Sequence, residues 1–393
     1  MAEGATMGGF ETWILVQNPG SAPAHVSLTY MTDQGEVQGP SATIEANSRK
    51  TFNVAETVQT WEVSTRVTSD EAVIAERAMY GGGRSWGTNS IGASSTSKTW
   101  YLAEGSTNGG METWVLVQNP NTTPANIHLT YMTPDGAVKG PDATLEANSR
   151  KTFFAADTVP NQWSVSCMVT CDDQEVIVER AMYGNNRSWA TNSVGVPEAG
   201  KDWYLAEGCT NGGFETWVLV QNPNPTPASI DLTYMTPNGA VEGPSETLPA
   251  NSRKTYFAGD TVANCWEVST KVSSTSNVIA ERSCYGNNRT WAHESKGVAQ
   301  AQATWYLAEG STGGDPSTHF ETWVLVQNPN SQAASIQITY MTDSGPVEGP
   351  TDTVPANSRK TYNIASTVPG VWEVSTKVTS NRAVIVERAM YGD

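Results

Sequence analysis

The stretch Phe-Glu-Thr-Trp-Ile-Leu-Val-Gln-Asn-Pro at residues 10–19 decides the fold of this 393-residue chain, because it occurs four times. It returns with small changes at 111–120, 214–223 and 320–329. Its middle, Thr-Trp-(Ile/Val)-Leu-Val, is apolar at successive positions, which predicts a β-strand covered on both faces. The proline that follows has no N–H for a ladder hydrogen bond, so the strand is expected to end before it. Four copies of such a strand, here called the anchor strand, predict four copies of one folding unit.

The tryptophan of the anchor strand gives the period of the repeat. Trp13, Trp114, Trp217 and Trp323 are separated by 101, 103 and 106 residues. The units that follow from this period are 1–98 (unit 1), 99–201 (unit 2), 202–303 (unit 3) and 304–393 (unit 4).

Each unit is expected to contain about seven short strands. In unit 3 the clearest segments are Trp-Tyr-Leu-Ala-Glu-Gly at 203–208, the anchor strand, an alternating run at 230–236, a strand beginning at 250–255 and Trp-Glu-Val-Ser-Thr-Lys-Val at 266–272. A Pro-Asn-Gly turn at 237–239 has the chemistry of a hairpin. About 100 residues, seven strands and regular turns predict an all-β chain of four tandem immunoglobulin-like β-sandwiches. A propeller or a barrel is the alternative, since both use short strands at even spacing.

The composition limits the classes of partner. The formal net charge is −17, and only 16% of residues are charged. Such an acidic surface disfavours nucleic acid and anionic membranes. No run of 18 apolar residues predicts a spanning helix, so membrane insertion is not expected. Met1 leads directly into repeat sequence, and no signal peptide is identified.

The joints between units have a constant length. Arg-Ser-Trp or Arg-Thr-Trp follows the last strand of a unit, and the next tryptophan, which opens the following unit, comes 14 residues later each time. A flexible linker would not keep its length, so we expect an ordered joint in which two tryptophans pack. The joint tryptophans, which are also candidate stacking platforms for a ligand, are Trp86, Trp100, Trp189, Trp203, Trp291 and Trp305. In the alternative reading these rings close the end of one domain.

All 14 tryptophans fit one scheme. Four lie in anchor strands, four open the sixth strand, three follow arginine and three begin Trp-Tyr-Leu. None is expected to be a lone exposed ring.

Both ends of the sequence interrupt a joint. The chain starts at Met-Ala-Glu-Gly, where other units have Trp-Tyr-Leu-Ala-Glu-Gly, and it stops at Asp393, before any Arg-Ser-Trp. This pattern is typical of a fragment of a longer array. The sharper hypothesis is that the ends meet between molecules and form a head-to-tail filament.

Four motifs in fixed order, namely Trp-Tyr-Leu-Ala-Glu-Gly, Gln-Asn-Pro, Asn-Ser-Arg and Glu-Arg-Ala-Met-Tyr, run through nearly the whole chain. With them the chain resembles the tandem "YLAEG" repeat domains of large bacterial cell-surface and secreted proteins. The resemblance implies an extracellular or cell-surface location and immunoglobulin-like domains in tandem. It implies no catalytic residues, because this family carries no agreed ones.

The charges that recur in every unit are few. Repeated carboxylates precede the anchor strand at Glu3, Glu104, Glu207 and Glu309 and begin it at Glu11, Glu112, Glu215 and Glu321. The repeated structural charges of the later strands are Arg49, Arg150, Arg253, Arg359, Glu76, Glu179, Glu281 and Glu387. A carboxylate pair could serve a glycosidase, but four identical active sites would be unusual. We expect hydrogen-bonded struts at strand ends instead. Glu76 and its neighbour Arg77 point to opposite faces of a strand and are not expected to pair.

The remaining reactive residues predict no cofactor. The four histidines are unrepeated and show no usual metal spacing. The five cysteines are unrepeated too; a Cys209–Cys284 bridge is conceivable, but isolated replacements of Ser, Thr or Met are favoured. Calcium at the acidic joints is the one metal kept open.

Two functions remain. The first is a non-enzymatic extracellular structural protein, a rigid rod of four sandwiches whose partners are copies of itself, head to tail, or flanking repeats. The second is a multivalent glycan-binding or adhesin module that uses Trp86, Trp189 and Trp291 as stacking platforms, with repetition giving avidity. A polysaccharide hydrolase is a distant third.

Overall fold

The computed structural model of the chain describes residues 1–315 and 318–392. These residues form 29 strands and four single 3-10 turns. The turns are Val54–Glu56, Ala155–Asp157, Ala258–Asp260 and Ile364–Ser366.

The strands of units 1 and 2 follow the order of the motifs. Those of unit 1 are β1 (Glu11–Asn18), β2 (Ala24–Thr32), β3 (Gly35–Ile44), β4 (Ser48–Asn53), β5 (Ser64–Ser69), β6 (Ile74–Gly81) and β7 (Trp86–Ile91). Those of unit 2 are β8 (Thr99–Leu102), β9 (Glu112–Asn119), β10 (Ala125–Thr133), β11 (Gly136–Leu145), β12 (Ser149–Phe154), β13 (Ser166–Cys171), β14 (Ile177–Gly184) and β15 (Trp189–Val194).

Units 3 and 4 repeat this order with longer final strands. Those of unit 3 are β16 (Gly200–Leu205), β17 (Glu215–Asn222), β18 (Ala228–Thr236), β19 (Gly239–Leu248), β20 (Ser252–Phe257), β21 (Ser269–Gly286) and β22 (Trp291–Lys296). Those of unit 4 are β23 (Gln302–Leu307), β24 (Gly314–Asp315), β25 (Thr318–Asn328), β26 (Ala334–Thr342), β27 (Gly345–Val354), β28 (Ser358–Asn363) and β29 (Val374–Gly392). Strands β21 and β29 each join two strands that are separate in units 1 and 2.

Unit 2 shows the architecture of one unit. Its two antiparallel sheets have the orders β11-β10-β13-β8 and β12-β9-β14-β15. The predicted all-β, tandem β-sandwich fold is therefore confirmed. The connectivity differs from the immunoglobulin order, in which the first strand pairs with the second. The sequence pattern predicts about seven strands and places Trp-Ala-Thr-Asn-Ser-Val in the joint, whereas the structure adds an eighth strand there, β15.

The anchor strand is buried on both faces, as its sequence predicts. Ile14 and Val16 are fully buried in the core of unit 1. Leu15 and Gln17 point to the other face and are buried as well. That second face is covered by the preceding unit and not by a second sheet of the same unit.

The four units form a closed ring. The side-chain amide of the anchor-strand glutamine donates to a methionine sulfur of the preceding unit at three joints: Gln118 to Met31 (3.2 Å), Gln221 to Met132 (3.4 Å) and Gln327 to Met235 (3.5 Å). Gln17 of unit 1 makes the same contact with Met341 of unit 4, at 3.0 Å. The fourth joint, here called joint 4/1 by analogy with joints 1/2, 2/3 and 3/4, thus joins the last unit to the first.

This closure bears on the predicted rigid rod and its head-to-tail assembly, which stay a prediction, because it uses the joint surfaces within one chain. In a rod the anchor strand of unit 1 would expose Leu15 and Gln17, and a second molecule would cover them. Here unit 4 of the same chain covers both. A repeated contact related by rotation closes when the rotation brings the last copy back to the first, and the surfaces that a filament needs are then used within one chain.

Candidate functional site

Each joint is built around a buried arginine between two carboxylates. At joint 1/2, Arg77 of unit 1 binds Glu3 of its own unit (2.8 Å) and Glu179 of unit 2. Glu179 also accepts the backbone N–H groups of Ala2 (2.9 Å) and Glu3 (3.2 Å). Burial opposes the charge of Glu179, but Arg77 and these donors hold its pKa below the usual range. One carboxylate therefore fixes the first residues of unit 1 onto unit 2.

The same arrangement recurs around the ring. Arg180 binds Glu281, Arg282 binds Glu207 and lies near Glu387, and Arg388 binds Glu76 and Glu309. The arginines of the Asn-Ser-Arg motif also cross the joints. At joints 1/2, 2/3 and 3/4 they donate to backbone carbonyls, for example Arg253 to Ala103 at 2.9 Å. At joint 4/1, Arg49 lies 3.7 Å from the carboxylate of Glu373. Adjacent Glu76 and Arg77 have different partners, as predicted. The repeated charges were expected at strand ends; the structure instead buries them between units.

Joint 2/3 carries one carboxylate more than joint 1/2. Glu294 on β22 binds Arg180, where joint 1/2 has the neutral Asn192. Burial raises the pKa of Glu294 to about 7, although Arg180 favours its charged form and Glu281 and Glu104 oppose it. The three carboxylates Glu104, Glu281 and Glu294 share two arginines, Arg180 and Arg253. Negative charge is therefore in excess, and Glu294 takes up a proton near pH 7.

This excess charge predicts a pH-dependent effect of Glu294→Asn. The folded-state pKa of about 7 exceeds the reference value of 4.5, so the folded chain binds the Glu294 proton more tightly than the unfolded chain does. Below pH 4.5 the carboxyl is protonated in both states and does not lower the stability of the fold. As pH rises through 7 the buried carboxyl ionises, and the fold loses stability. The variant should be more stable than the wild type at pH 8, by up to about 3 kcal/mol, with little gain at pH 4.5. Urea unfolding at both pH values measures this difference. Exposed Glu242→Gln is the control, and an equal effect of Glu294→Asn at both pH values would contradict the assignment.

The tryptophans that follow arginine are buried between units. Trp86 meets Phe10 (5.5 Å between ring centroids) and Tyr183 of unit 2 (5.9 Å), both edge to face. Trp189 meets Tyr285, and Trp291 meets Tyr391, in the same way. Trp86 and Trp189 are buried, and Trp291 is half-buried. They pack at the joints as expected, each edge to face against a tyrosine of the next unit.

The tryptophans that open a unit lie elsewhere. Their indole N–H groups donate to carbonyls of their own unit: Trp100 to Val176 (2.8 Å), Trp203 to Val278 (2.7 Å) and Trp305 to Val384 (2.8 Å). The predicted pairing of two tryptophans across a joint is therefore wrong. At joints 1/2, 2/3 and 3/4 the second ring is a tyrosine that comes three residues after the arginine of the repeated Glu-Arg pair: Tyr183, Tyr285 and Tyr391.

Four other tryptophans are exposed, contrary to the prediction that none would be. Their exposed fractions are 56% for Trp61, 59% for Trp163, 61% for Trp266 and 59% for Trp372. The sequence pattern places them in the sixth strand, but in the structure that strand begins two or three residues later, for example at Ser64 in unit 1 and Val374 in unit 4. A tryptophan directly before an alternating run has the same sequence pattern whether it is the first residue of the strand or the last residue of the preceding loop.

Each exposed tryptophan lines an open cleft at a joint, and these four clefts are the candidate site. At joint 2/3 the cleft has a volume of about 320 Å³; its lining includes Trp163 from unit 2 and Trp217, Tyr285, Arg289 and Thr255 from unit 3. The corresponding clefts measure about 140 Å³ at joint 1/2, 480 Å³ at joint 3/4 and 190 Å³ at joint 4/1. Each cleft is lined by the exposed tryptophan of one unit and by the anchor strand of the next unit, so the same arrangement occurs at all four joints.

The exposed indole is held in place by a glycine turn. A Cβ atom at Gly109 would lie 2.3 Å from the Trp163 ring, so only glycine lets the ring rest on the turn. Gly109 also has φ +62°, a conformation that disfavours side chains. One ring face therefore rests on protein, and much of the side chain remains open to solvent.

The rim of three clefts carries an ordered ion pair. At joint 1/2, Arg187 binds Glu112 at 2.7 Å and lies over the Trp114 and Tyr183 rings, 5.9 and 5.2 Å from their centroids. The Trp114 indole N–H donates to Glu112 at 2.9 Å. Arg84 and Arg289 do the same in units 1 and 3. The cleft thus combines flat apolar rings with hydrogen-bonding groups at the edge, which orient a ligand.

The described residues offer a poor metal site. One group could converge on an ion: Glu207, Cys284 and His293, within 4.8 Å of one another. Arg282 lies 2.8 Å from Glu207 and 3.2 Å from His293, so a positive charge already occupies this place. Burial raises the pKa of Cys284, which opposes the thiolate that a metal needs. Calcium at the joints stays a prediction. The joint carboxylates already have positively charged partners, as Glu3 and Glu179 have in Arg77.

All five cysteines are free thiols, so Cys209 and Cys284 form no bridge. In the part of the chain that the structure describes, no helix has the length and apolarity to span a bilayer.

Comparison with family models finds no match to this sequence, and comparison with curated proteins finds none either. Among solved structures, the chain is similar to Thermotoga maritima 1070 (14% identity, 25% of this chain and 94% of that chain, TM-score 0.24). It is similar to the Anabaena sensory rhodopsin transducer (23% identity, 23% and 96%, TM-score 0.20). A tetra-tandem repeat from the extending region of a large adhesion protein covers more of it (13% identity, 96% and 92%, TM-score 0.13). These TM-scores are all below 0.5, so the likenesses establish neither a family nor a function.

Proposed function

We propose that the protein is a non-enzymatic, multivalent glycan-binding module in an extracellular or cell-surface setting. The observation that carries the proposal is the set of four equivalent aromatic clefts, one at each joint of the ring. We favour this function over the structural rod, because unit 4 packs on unit 1 of the same chain. The extracellular setting rests on the sequence resemblance to surface repeats.

The chemistry of the clefts matches that of a sugar. A pyranose has an apolar face of C–H groups and a polar edge of hydroxyls, and the cleft pairs an exposed indole with carboxylate, guanidinium and hydroxyl groups. At joint 2/3 the polar groups include Thr255 and Arg289, close to Trp163 and Trp217. Neutral glycans are favoured over anionic polymers, because the net charge is −17.

The clefts differ in size, and this predicts their order of affinity. Pockets for small ligands usually measure about 300–1,000 Å³. The clefts at joints 2/3 and 3/4, at about 320 and 480 Å³, fall in that range, whereas those at 1/2 and 4/1 do not. Weak single sites become effective on a surface with many glycans, because each further contact is intramolecular and avidity rises by about 10²–10⁴.

The test uses Trp163→Ala with neutral oligosaccharides of glucose, galactose and N-acetylglucosamine as probes. For the oligosaccharide that binds, the variant should lose about tenfold in affinity at joint 2/3, since an aromatic contact contributes about 1 kcal/mol or more. Isothermal titration calorimetry measures the affinity. Trp163→Phe keeps a ring and should retain most of the binding, and equal melting temperatures show that the fold is intact.

A quadruple variant of Trp61, Trp163, Trp266 and Trp372 to Ala should abolish retention on an immobilised glycan surface. The proposal fails if none of the oligosaccharides binds the wild type. It also fails if the quadruple variant binds as well as the wild type.

A further inference from the structure

Three of the four clefts contain a carboxylate of the chain itself. The residue after the exposed tryptophan is a glutamate in units 1, 3 and 4, and each of these glutamates lines the cleft of its joint: Glu62, Glu267 and Glu373. Their carboxylates lie 3.2, 4.0 and 3.7 Å from the buried arginines of the Asn-Ser-Arg motif, which are Arg150, Arg359 and Arg49. In these clefts the chain thus pairs its own carboxylate with an arginine across the joint.

The cleft at joint 2/3 has a hydroxyl group in this position. The residue after Trp163 is Ser164, and its Oγ atom lies 3.5 Å from Thr255 Oγ1. Both residues line the cleft. In the cleft at joint 3/4 the counterpart of Thr255 is Thr361, which donates to Glu267 at 3.2 Å. Serine is shorter than glutamate and carries no charge, so at joint 2/3 the chain supplies no carboxylate from this side.

The arginine of this joint has neutral partners as a result. Arg253 is buried, and its guanidinium donates to Thr255 Oγ1 at 2.8 Å and to the carbonyl of Ala103 at 2.9 Å. In the described part of the chain, no carboxylate forms an ion pair with it. Burial lowers the pKa of Arg253 to about 10, although Glu104 and Glu281 act against this effect from a longer distance. A carboxylate beside Thr255 would restore the pairing that the other three clefts have.

The carboxylates already present do not exclude another one. Glu104 lines the cleft at joint 2/3, but its counterpart Glu3 lines the cleft at joint 1/2 together with Glu62. Joint 2/3 also has Glu294, which binds Arg180 and takes up a proton near pH 7. At pH 6 most of the Glu294 charge is gone. The charge balance of joint 2/3 with one added carboxylate then equals that of joint 1/2.

We infer that the cleft at joint 2/3 binds a glycan through a uronic acid residue, whose carboxylate takes the position that a glutamate of the chain occupies in the other three clefts. The inference rests on the proposed glycan binding and names the class of sugar for this cleft. A uronic acid carries its carboxylate on C5, at the edge of the pyranose ring. Trp163 and Ser164 are consecutive and both line the cleft, so a ring stacked on the indole brings that carboxylate to the hydroxyls of Ser164 and Thr255. The Arg253 charge lies directly behind Thr255.

A single ligand carboxylate is compatible with the net charge of −17. At physiological ionic strength, salt screens exposed charges that are more than about 8 Å apart. Repulsion by the acidic surface therefore acts on a polymer with many charges and much less on one uronic acid residue. The other three clefts, in which a glutamate of the chain fills this position, are expected to prefer neutral sugars.

The test compares glucose and galactose oligosaccharides that carry one uronic acid residue with their neutral counterparts, at pH 6. Isothermal titration calorimetry of the full chain should show one tight site for an acidic probe, with an affinity at least about tenfold above that of the neutral counterpart, because a hydrogen bond to a charged group contributes more than a factor of ten. Ser164→Glu supplies the carboxylate from the chain and should remove this gain. Ser21→Glu adds the same charge at an exposed turn of unit 1 and should leave the acidic probe bound as in the wild type.

The converse variant, Glu267→Ser, removes the carboxylate from the cleft at joint 3/4 and should add a second tight site for the acidic probe. Both residue types already occur at this position in the chain, and equal melting temperatures show that the fold is intact. The inference is overturned, and the proposed function stands, if neutral oligosaccharides bind and their acidic counterparts bind no more tightly. The same holds if Ser164→Glu leaves the acidic probe tightly bound. If neither kind of oligosaccharide binds the wild type, the proposed function fails together with the inference.

Discussion

Glu179→Ala is expected to lower the free energy of unfolding by about 3–5 kcal/mol, the usual cost of removing one partner of a buried ion pair. Glu179 is fully buried, and its carboxylate serves Arg77 and the backbone N–H groups of Ala2 and Glu3. Without it, Arg77 keeps only Glu3 and its backbone carbonyl, and two buried N–H groups lose their acceptor. Urea or guanidinium unfolding measures the change.

The control for this variant is an exposed ion pair. Lys139 and Asp142 are 2.8 Å apart, with side chains 77% and 46% exposed, so Lys139→Ala should cost no more than about 1 kcal/mol. Hydrogen exchange should also rise at residues 1–5 in Glu179→Ala, because that segment is held by the carboxylate. Equal effects of the two variants would show that the joint contributes little to folding.

Met341→Lys is expected to open the ring at joint 4/1. Met341 is 2% exposed and lies against Gln17, whose neutral amide donates to its sulfur at 3.0 Å, so an ammonium group in its place would be buried beside an uncharged side chain. An unpaired buried charge costs several kcal/mol, and joint 4/1 is the joint that no covalent link crosses. Small-angle X-ray scattering should give a radius of gyration near the compact value of about 21 Å for the wild type and a clearly larger one for the variant.

Two methionines provide the comparison. Met132→Lys places the same charge at joint 2/3, where the chain connects the units, and should destabilise the protein with a smaller change in radius. Met7→Lys changes a methionine that is 42% exposed and should alter neither stability nor radius. If Met341→Lys leaves the radius and the unfolding free energy unchanged, unit 4 does not pack on unit 1 in solution.

Part of the site was predictable and part was not. The repeated arginines and glutamates stood out in the sequence, but their partners did not, because Arg77 and Glu179 are 102 residues apart and lie in different units. The clefts were missed because a tryptophan before an alternating run reads as a strand residue. In the structure, Trp266 precedes β21 by three residues and projects into a cleft that two units build together.

The sequence by itself determined the four units, the anchor strand with two buried faces, the hairpin turns and the all-β sandwich. These features depend on local patterns: a period of about 100 residues, apolar runs ended by Gln-Asn-Pro, and glycine-containing turns. Only the tertiary structure decided that the units form a ring, that unit 4 covers unit 1, and that four clefts open at the joints. The contact of Gln17 with Met341 spans 324 residues, and whether it forms depends on the angle between consecutive units. That angle is set by packing across each joint, which no local pattern of residues specifies.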